Sequence, residues 1–478
     1  MTGRPAAPII AAMLPRTFQI ASFGCKVNQA EGQSLAAGLR AAGLVEAPQG
    51  AAAGLIIVNT CAVTGEAARQ ARQFVRHALR AGAAVAVTGC AAHPAAGDAA
   101  LRAIPGVLLI EPDKEQVVAW LRQCRVKSAE CRVKEETAAG GNASNSSLFT
   151  LHSSLGRARA LLKIQDGCPA SCAYCIVPKV RPTVQSLSLD EAASQVERLV
   201  AAGYGEIVLC GIHLGLYGVP AQAGKLHAEC GVRSEEGRAP AGGLVDLLDR
   251  CIAMPGRFRV RLSSIEPMEV TDALLERMAA RPDRQGDAVA SPDRLCPHLH
   301  LPLQSGSDAV LERMRRPYRS AEFLATVERV RRALAQPAIT SDVLVGFPGE
   351  TDADHAETLR VCRAAHFSRI HVFPFSKRPG TAAALMGPEV PAEVIRRRRC
   401  EVAGLGEELA RAYRESLVGT AADVVIERVS ADGSAEGYCE RYVVVRVRAL
   451  LPGAARREIV GVTLTGVCGD VLEGEAVL

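Results

Sequence analysis

Cys168, Cys172 and Cys175 stand in the run Cys168-Pro169-Ala170-Ser171-Cys172-Ala173-Tyr174-Cys175. Thiols at this spacing can converge on one face of an iron–sulfur cube, because so short a loop has few backbone residues to fix before the sulfurs meet. Three ligands leave one iron of a four-iron cluster open. An open iron points to substrate or cofactor chemistry rather than to the electron shuttling of an all-thiolate site. A zinc loop or a chance cluster is the competing reading. Structural zinc takes four protein ligands and commonly pairs two CxxC units, and no fourth Cys or His falls in register near this loop.

Three further cysteines each follow a short apolar run. Phe18 to Ser22 leads into Gly24-Cys25-Lys26-Val27-Asn28, Leu55 to Val58 into Asn59-Thr60-Cys61, and Ala84 to Val87 into Thr88-Gly89-Cys90. Helical patterns at Gly32 to Ala42 and Glu66 to Ala81 separate them. This β-α-β-α-β order predicts a parallel, doubly wound sheet. Ligands of such sheets bind outside the carboxyl ends of the strands, so Cys25, Cys61 and Cys90 are expected along one edge, able to hold a second cluster with an open iron. Three unrelated buried thiols are the alternative, since free cysteine is often buried.

From Cys124 to Leu155 the periodicity is lost. Cys124-Arg125-Val126-Lys127 recurs as Cys131-Arg132-Val133-Lys134, then Gly, Asn, Ser and Thr dominate. The composition predicts a disordered linker, and the repeat is read as a duplication rather than as a metal site. Beyond it, strand-like runs lie at Ala160 to Ile164, Glu206 to Leu209, Phe258 to Leu262, Leu299 to Leu301, Ile339 to Val345 and Arg369 to Phe373. Helical segments alternate with them at Leu189 to Ala202, Leu244 to Ala253, Asp272 to Ala280, Ala309 to Met314 with Ala321 to Leu334, and Ala353 to His366. Six βα units predict an incomplete parallel barrel with its site at the strand carboxyl ends. The polar stretches Ala221 to Ala239 and Pro282 to Leu295 are read as surface loops.

That geometry selects candidate ligand contacts. Gly211 and His213 follow the second strand, where Gly211 and Gly215 permit close backbone approach. Ser263, Ser264 and Glu266 follow the third strand, and Gln304 and Ser305 the fourth. Asp342 interrupts an apolar fifth strand that leads into Gly346-Phe347-Pro348-Gly349-Glu350. Ser-Ser and Gly-Pro runs are otherwise ordinary turns. From Gly419 onward, runs at Asp423 to Val429, Tyr442 to Arg448, Glu458 to Val462 and Ala476 to Leu478 predict a small all-β barrel, a shape that often binds nucleic acid. Its six Arg against nine acidic residues oppose net attraction to RNA.

At 478 residues and 48% hydrophobic, the chain is expected to form two to four domains. The 16 cysteines, without a secretory signal, read as reduced thiols and metal ligands and predict a cytoplasmic protein. Ala7 to Leu14 is too short for an export signal or a membrane span, and Met13 is an alternative start. A net charge of +5 does not by itself indicate nucleic acid.

The Cys168 loop, with Tyr174 before its last Cys, resembles the signature of radical S-adenosylmethionine enzymes. With both triads located, the chain resembles their methylthiotransferase branch over nearly its whole length. The parts expected are an amino-terminal α/β domain at 16–123, a linker at 124–155, a partial (β/α)6 barrel at 156–418 and a TRAM-like RNA-binding barrel at 419–478. Gly24-Cys25-Lys26-Val27-Asn28-Gln29, Asn59-Thr60-Cys61-Ala62-Val63-Thr64, Lys163-Ile164-Gln165-Asp166-Gly167-Cys168 and Leu262-Ser263-Ser264-Ile265-Glu266-Pro267 look most like the enzymes that act on N6-threonylcarbamoyladenosine at position 37 of tRNA. The resemblance implies two 4Fe-4S clusters and S-adenosylmethionine. A 5′-deoxyadenosyl radical made at the Cys168 cluster would take hydrogen from C2 of the adenine, and a methylthio group would pass from the Cys25, Cys61, Cys90 cluster. From their places in the cysteine loop and at the strand ends, cofactor contacts are expected among Tyr174, Gly211, His213, Ser264, Glu266, Gln304 and Asp342. The implied partners are the tRNA anticodon loop and an electron donor such as flavodoxin or ferredoxin, and a monomer with no membrane attachment is expected.

One basic stripe can be derived directly. Arg69, Arg72, Arg76 and Arg80 are spaced three, four and four apart, on one face of the helix after Cys61. A phosphate track is the functional reading and a solvated face the ordinary one. Arg157, Arg159, Lys163, Lys179 and Arg181 are further candidates, while Arg396 to Arg399 are read as helix decoration. The competing functions are methylthiolation of isopentenyladenosine in tRNA or of a ribosomal protein aspartate, and a non-catalytic electron carrier or iron–sulfur RNA-binding protein.

Overall fold

The computed structural model describes residues 16–48, 51–132, 158–220, 242–280, 294–448 and 455–477. Met13, Arg157, the linker beyond Arg132, Ala221 to Ala239 and Pro282 to Asp293 lie outside the described residues. The chain divides into two units. The first is the amino-terminal part with Cys175–Val180 and Arg378–Gly380, and the second is the remainder. Among the described residues no helix is long and apolar enough to cross a membrane.

In the first unit β1 (Thr17–Ser22), β2 (Val45–Glu46), β3 (Leu55–Thr60), β4 (Ala84–Gly89) and β5 (Leu109–Ile110) form one parallel sheet in the order β2-β1-β3-β4-β5. Its helices are α1 (Lys26–Ala41), α2 (Gly65–Arg80), α3 (Ala99–Arg102) and α4 (Lys114–Arg132). Leu35, Leu39, Val117 and Leu121 of α1 and α4 pack with Phe18, Leu55 and Ile57. Val75, Ala78 and Leu101 of α2 and α3 pack with Val58, Val85 and Val87. Burial on both faces is why these strands read as continuous apolar runs. α1 begins at Lys26 rather than at the expected Gly32, because its polar first turns are buried, not exposed. Asn28 Nδ2 donates to the carbonyls of Phe23 and Thr60 at 2.9 and 2.7 Å, and Glu31 pairs with Lys114 at 2.6 Å. The short β2 and β5 and the helices α3 and α4 escape the sequence reading. α4 runs through the buried Cys124 to Arg132, inside the stretch read as linker.

In the second unit β6 (Ala160–Lys163) is followed by β7 (Gln165–Asp166) and β8 (Gln185–Ser186), an antiparallel pair that pinches the base of the Cys168 loop. α5 (Val177–Val180), within that loop, is counted with the first unit. Then β9 (Glu206–Cys210), β10 (Arg259–Leu262), β11 (His298–His300), β12 (Ala338–Val345) and β13 (Arg369–Pro374) alternate with α6 (Leu189–Ala201), α7 (Leu244–Ala253), α8 (Asp272–Ala279), α9 (Asp308–Arg313), α10 (Ser320–Ala333) and α11 (Asp352–Ala365). β6-β9-β10 and β11-β12-β13 are parallel sheets joined through the parallel bridges Val260 to Leu295 and Ser264 to His300. The result is an open six-stranded arc, the partial barrel expected.

The 25-residue α12 (Ala392–Ser416) leads to a closed barrel of β14 (Ala421–Val429), β15 (Ala435–Cys439), β16 (Val444–Arg448), β17 (Ile459–Cys468) and β18 (Val471–Ala476). The last strand thus ends where the sequence reading had it begin, because Glu473, Gly474 and Glu475 disguise an apolar alternation. β15 was missed for a related reason: Gly437 must be Gly, since a Cβ there would lie 2.0 Å from the Val425 carbonyl oxygen. This barrel is anchored to the parallel arc. Glu206 accepts from Arg259 Nε and Arg261 Nε at 2.7 Å each, all three fully buried. The remaining guanidinium N–H groups donate to the carbonyls of Asp423, Tyr438, Cys439 and Glu440.

Candidate functional site

In the first unit the strand order reverses between β1 and β3, the crevice where doubly wound sheets take ligands. Cys25 and Cys61 follow those two strands and Cys90 follows β4. Cys25 is exposed and the other two are buried. The Cys25 and Cys61 thiols contact each other, which holds the Cys25 pKa well above and the Cys61 pKa below the ordinary thiol value. The Val63 N–H adds a bond to Cys61 Sγ at 3.4 Å. Gly24, at φ +93°, makes the contact possible, because a Cβ there would lie 2.3 Å from Cys61 Cβ. A buried polar net aligns the strand ends: Asn59 Nδ2 donates to the Asn28 carbonyl and Thr60 Oγ1 to the Thr88 carbonyl, both at 2.6 Å. Arg378 lies near Cys61 and Asp98, and burial pulls its pKa down against their attraction. Among the described residues no three His, Cys, Asp or Glu groups converge on a single metal ion. Soft thiols on three successive strand ends, spaced around a glycine cradle, instead suit a cluster whose ligands bind different irons.

In the second unit Asp166 organises the base of the other loop. It accepts from Lys163 Nζ at 2.6 Å, from Arg181 Nη1 at 2.8 Å and from the Gly167 N–H at 2.8 Å. The Cys168 N–H donates to the Arg181 carbonyl at 3.1 Å. Cys168 Sγ lies 3.5 Å from His213 Nδ1, and His213 Nε2 lies 2.6 Å from Glu269 Oε1. Burial disfavours a charged His213, but Glu269 and Cys168 outweigh it and hold its pKa well above the usual imidazole value. Arg316 Nη1 donates to Cys172 Sγ at 3.3 Å and Nη2 pairs with Glu266; burial raises the Cys172 pKa. The thiols of Cys168 and Cys172 thus face cationic donors, the surroundings an anionic cluster requires. Tyr174 packs beside Phe347 and Met314.

The other candidates distribute along the same strand ends. Gly211 sits against Gln165, whose Oε1 would be 2.9 Å from an added Cβ. Ser264 bridges to His300, and Ser263 Oγ beside it is buried with no hydrogen-bond partner among the described residues. Gln304 takes φ +65°. Asp342 Oδ2 lies 3.4 Å from His300 Nε2. The sequence reading missed Arg316 and Glu269. Glu269 follows the selected Glu266 by three residues, a spacing that was a usable signal; Arg316, in Arg315-Arg316-Pro317, looks like surface charge.

The basic candidates separate. Arg69 pairs with Glu66, and Arg72 with Asp98 at 2.7 Å; Arg76 and Arg80 are exposed. Lys179 Nζ donates to the Gly380 carbonyl, and Lys163 and Arg181 are committed to Asp166. Arg159 stacks on Tyr438 at 4.2 Å and bonds Glu427 at 2.9 Å, an anchor of the terminal barrel. Arg398 is buried against Glu350 and Asp352, at 2.9 and 2.8 Å, so it clamps the Gly346 to Glu350 turn and is not helix decoration.

Residues 162–362 match the radical SAM superfamily, and residues 17–110 match "Uncharacterized protein family UPF0004". The chain is 34% identical over 436 residues to the threonylcarbamoyladenosine tRNA methylthiotransferase MtaB of Thermotoga maritima, covering 90% of each chain. It is 33% identical over 441 residues to MtaB of Bacillus subtilis, covering 89% of this chain and 88% of that one. It is also 34% identical over 440 residues to the tRNA-2-methylthio-N(6)-dimethylallyladenosine synthase of Nocardia farcinica, covering 88% and 78%. Likeness of this extent, on a chain with both cysteine triads at strand carboxyl ends, means that the protein belongs to the radical S-adenosylmethionine methylthiotransferase family.

Proposed function

We propose that the chain methylthiolates C2 of N6-threonylcarbamoyladenosine at position 37 of tRNA. The observation that carries this is the pair of three-cysteine sets, one across the carboxyl ends of β1, β3 and β4 and the other in the loop that follows β6 and β7. The threonylcarbamoyl substrate is supported by the two MtaB relatives, and the isopentenylated one by the Nocardia relative of similar identity. Bound at the two sets, 4Fe-4S clusters and S-adenosylmethionine supply one-electron bond cleavage, hydrogen removal from C2, and the sulfur and methyl of the product.

The chain's own part is placement. Asp166, Lys163 and Arg181 fix the base of the Cys168 loop, so the thiols are presented without further ordering of the backbone. Gln165, turned by its bonds to the Asp166 and Gly167 carbonyls, holds the His213 backbone N–H at 2.8 Å. Ser264, Gln304 and Asp342 line the strand ends as candidate contacts for cofactor and base, and Gly211 leaves room for Gln165 to pack against the end of β9. Arg76 and Arg80 are the candidate phosphate contacts.

The test is the nucleoside content of tRNA from a deletion strain with and without the gene restored. Loss of 2-methylthio-N6-threonylcarbamoyladenosine, and its return on complementation, is the expected result. Loss of the methylthiolated isopentenyl nucleoside instead would move the assignment to the second substrate.

A further inference from the structure

We infer that a polar layer inside the parallel arc, built from His300, Thr340, Asp342 and His371, receives the N6 substituent of the substrate adenine and selects a hydrogen-bonding group over an apolar one. The inference rests on the tRNA substrate reading above and names what separates its two candidate nucleosides. Side chains alternate along β12. Ile339, Ser341 and Val343 are buried on one side, and Thr340, Asp342 and Leu344 stand on the other. His300 of β11 pairs in register with Thr340, and His371 of β13 with Asp342, so the four share one face.

Their side chains meet. His300 Nδ1 lies 2.9 Å from Thr340 Oγ1, His300 Nε2 lies 3.4 Å from Asp342 Oδ2, and the His300 and His371 rings are 5.9 Å apart between centroids. The Thr340 hydroxyl can donate to Nδ1 and leave the Nε2 N–H turned to Asp342, so a neutral ring suits both neighbours. One imidazole N–H cannot fill the lone pairs of a carboxylate, and Asp342 keeps capacity to accept from a ligand. The layer is within reach of one, since the His300 and Asp342 side chains remain 15% and 29% exposed. Below it, His298 Nε2 lies 3.3 Å from Thr340 Oγ1, and the His298 ring lies 5.0 Å from that of Tyr442, in the turn between β15 and β16. The terminal barrel thus covers the floor.

Depth ties the layer to the reacting carbon. Leu344 packs in the same cluster as Tyr174 of the cysteine loop, and Asp342 lies two residues earlier on the strand, about 7 Å deeper. C2 and N6 of adenine share one edge, with N1 between them, so a base with C2 beside the cysteine loop can place its N6 substituent one layer down. A threonylcarbamoyl group brings ureido N–H and hydroxyl donors for Asp342 and a carbonyl acceptor for the histidines, while like charge keeps its own carboxylate away from Asp342. An isopentenyl group brings no such partner. It would take Asp342 and the imidazoles out of water unsatisfied, the loss that makes hydrogen-bonding pockets selective.

The experiment uses the full-length chain, reconstituted anaerobically, and synthetic anticodon stem-loops carrying N6-threonylcarbamoyladenosine, N6-isopentenyladenosine or adenosine at position 37. Affinities are read by fluorescence anisotropy without S-adenosylmethionine, and binding of S-adenosylmethionine is measured separately by equilibrium dialysis. The native chain is expected to bind the threonylcarbamoyl loop tightest. Asp342→Leu is expected to cut its preference over the adenosine loop about tenfold and to narrow the gap to the isopentenyl loop, with affinity for the adenosine loop unchanged; His371→Phe is expected to act in the same direction. A preference retained in Asp342→Leu overturns the proposal, and if that variant loads no iron, a preference retained in His371→Phe does so. Loss of S-adenosylmethionine binding with an intact preference also overturns it and gives the layer to the cofactor. Equal binding of all three loops by the native chain overturns this proposal alone, whereas tighter binding of the isopentenyl loop removes the threonylcarbamoyl reading and this proposal with it.

Discussion

Gly24 decides whether the first triad can form. At φ +93°, with Cys61 Sγ 2.5 Å from the position of an added Cβ, it occupies backbone that other residues adopt only under strain. Gly24→Ala is expected to cost about 1 to 3 kcal/mol and to part Cys25 from Cys61. Iron after anaerobic reconstitution would fall from about eight to about four per chain, read by iron and sulfide analysis. Eight irons in the variant would show that the thiol contact is dispensable. The cysteines and this glycine were legible as residue types in fixed spacing. Their partners were not, because Asn28, Asn59 and Thr60 are ordinary polar residues until the fold buries them together. Arg72 shows what helical spacing leaves out: it stands in the basic stripe, and Asp98, 26 residues away in sequence, pairs with it.

Elements were legible where burial is two-sided. β9 and β12 are mainly apolar runs and β10 an alternating Arg-Val-Arg-Leu run after Phe258, and all three were read within a residue or two; β15 and β18 carry Gly and Glu and were not. The strangest sequence feature of the arc is polar: Arg259, Arg261 and Glu206 sit on strands yet are fully buried, and only the presence of the terminal barrel explains them. Glu206 is held far below the ordinary carboxylate range; burial opposes this, and Arg261 and Arg259 override it. A depressed folded pKa means that ionised Glu206 stabilises the fold above its unfolded value and loses this as pH falls. Glu206→Gln, which leaves buried guanidinium groups without their counterion, is expected to destabilise the second unit by about 3 to 5 kcal/mol at neutral pH. The gap between wild type and variant should shrink by about 1.4 kcal/mol per pH unit below about 4.3. Denaturant unfolding at several pH values measures both, and a pH-independent gap would contradict the assignment.

For the whole molecule the question is where an RNA would find positive charge. The net charge is only +5, and the terminal barrel, whose shape suggests nucleic acid, neutralises its own cations. Arg448 pairs with Glu473 and Arg428 with Glu436, each at 2.5 Å, and Arg446 stands in register with Glu473 on the neighbouring strand. Among the described residues the exposed Arg76 and Arg80 of α2 have no such acidic partner, and they lie on the helix that follows Cys61. If these contact tRNA phosphates, each should contribute about one counterion released on binding. The Arg76→Ala, Arg80→Ala double variant is then expected to weaken binding evenly across tRNA sequences and to lower the slope of log affinity against log salt by about 1 to 2. Arg448→Ala, which removes a cation already neutralised by Glu473, should leave that slope nearly unchanged. Binding isotherms over a range of salt decide between them. A slope that falls with Arg448→Ala and not with the α2 variant would assign the phosphate track to the terminal barrel, and its acidic composition would then be offset by local placement of its arginines.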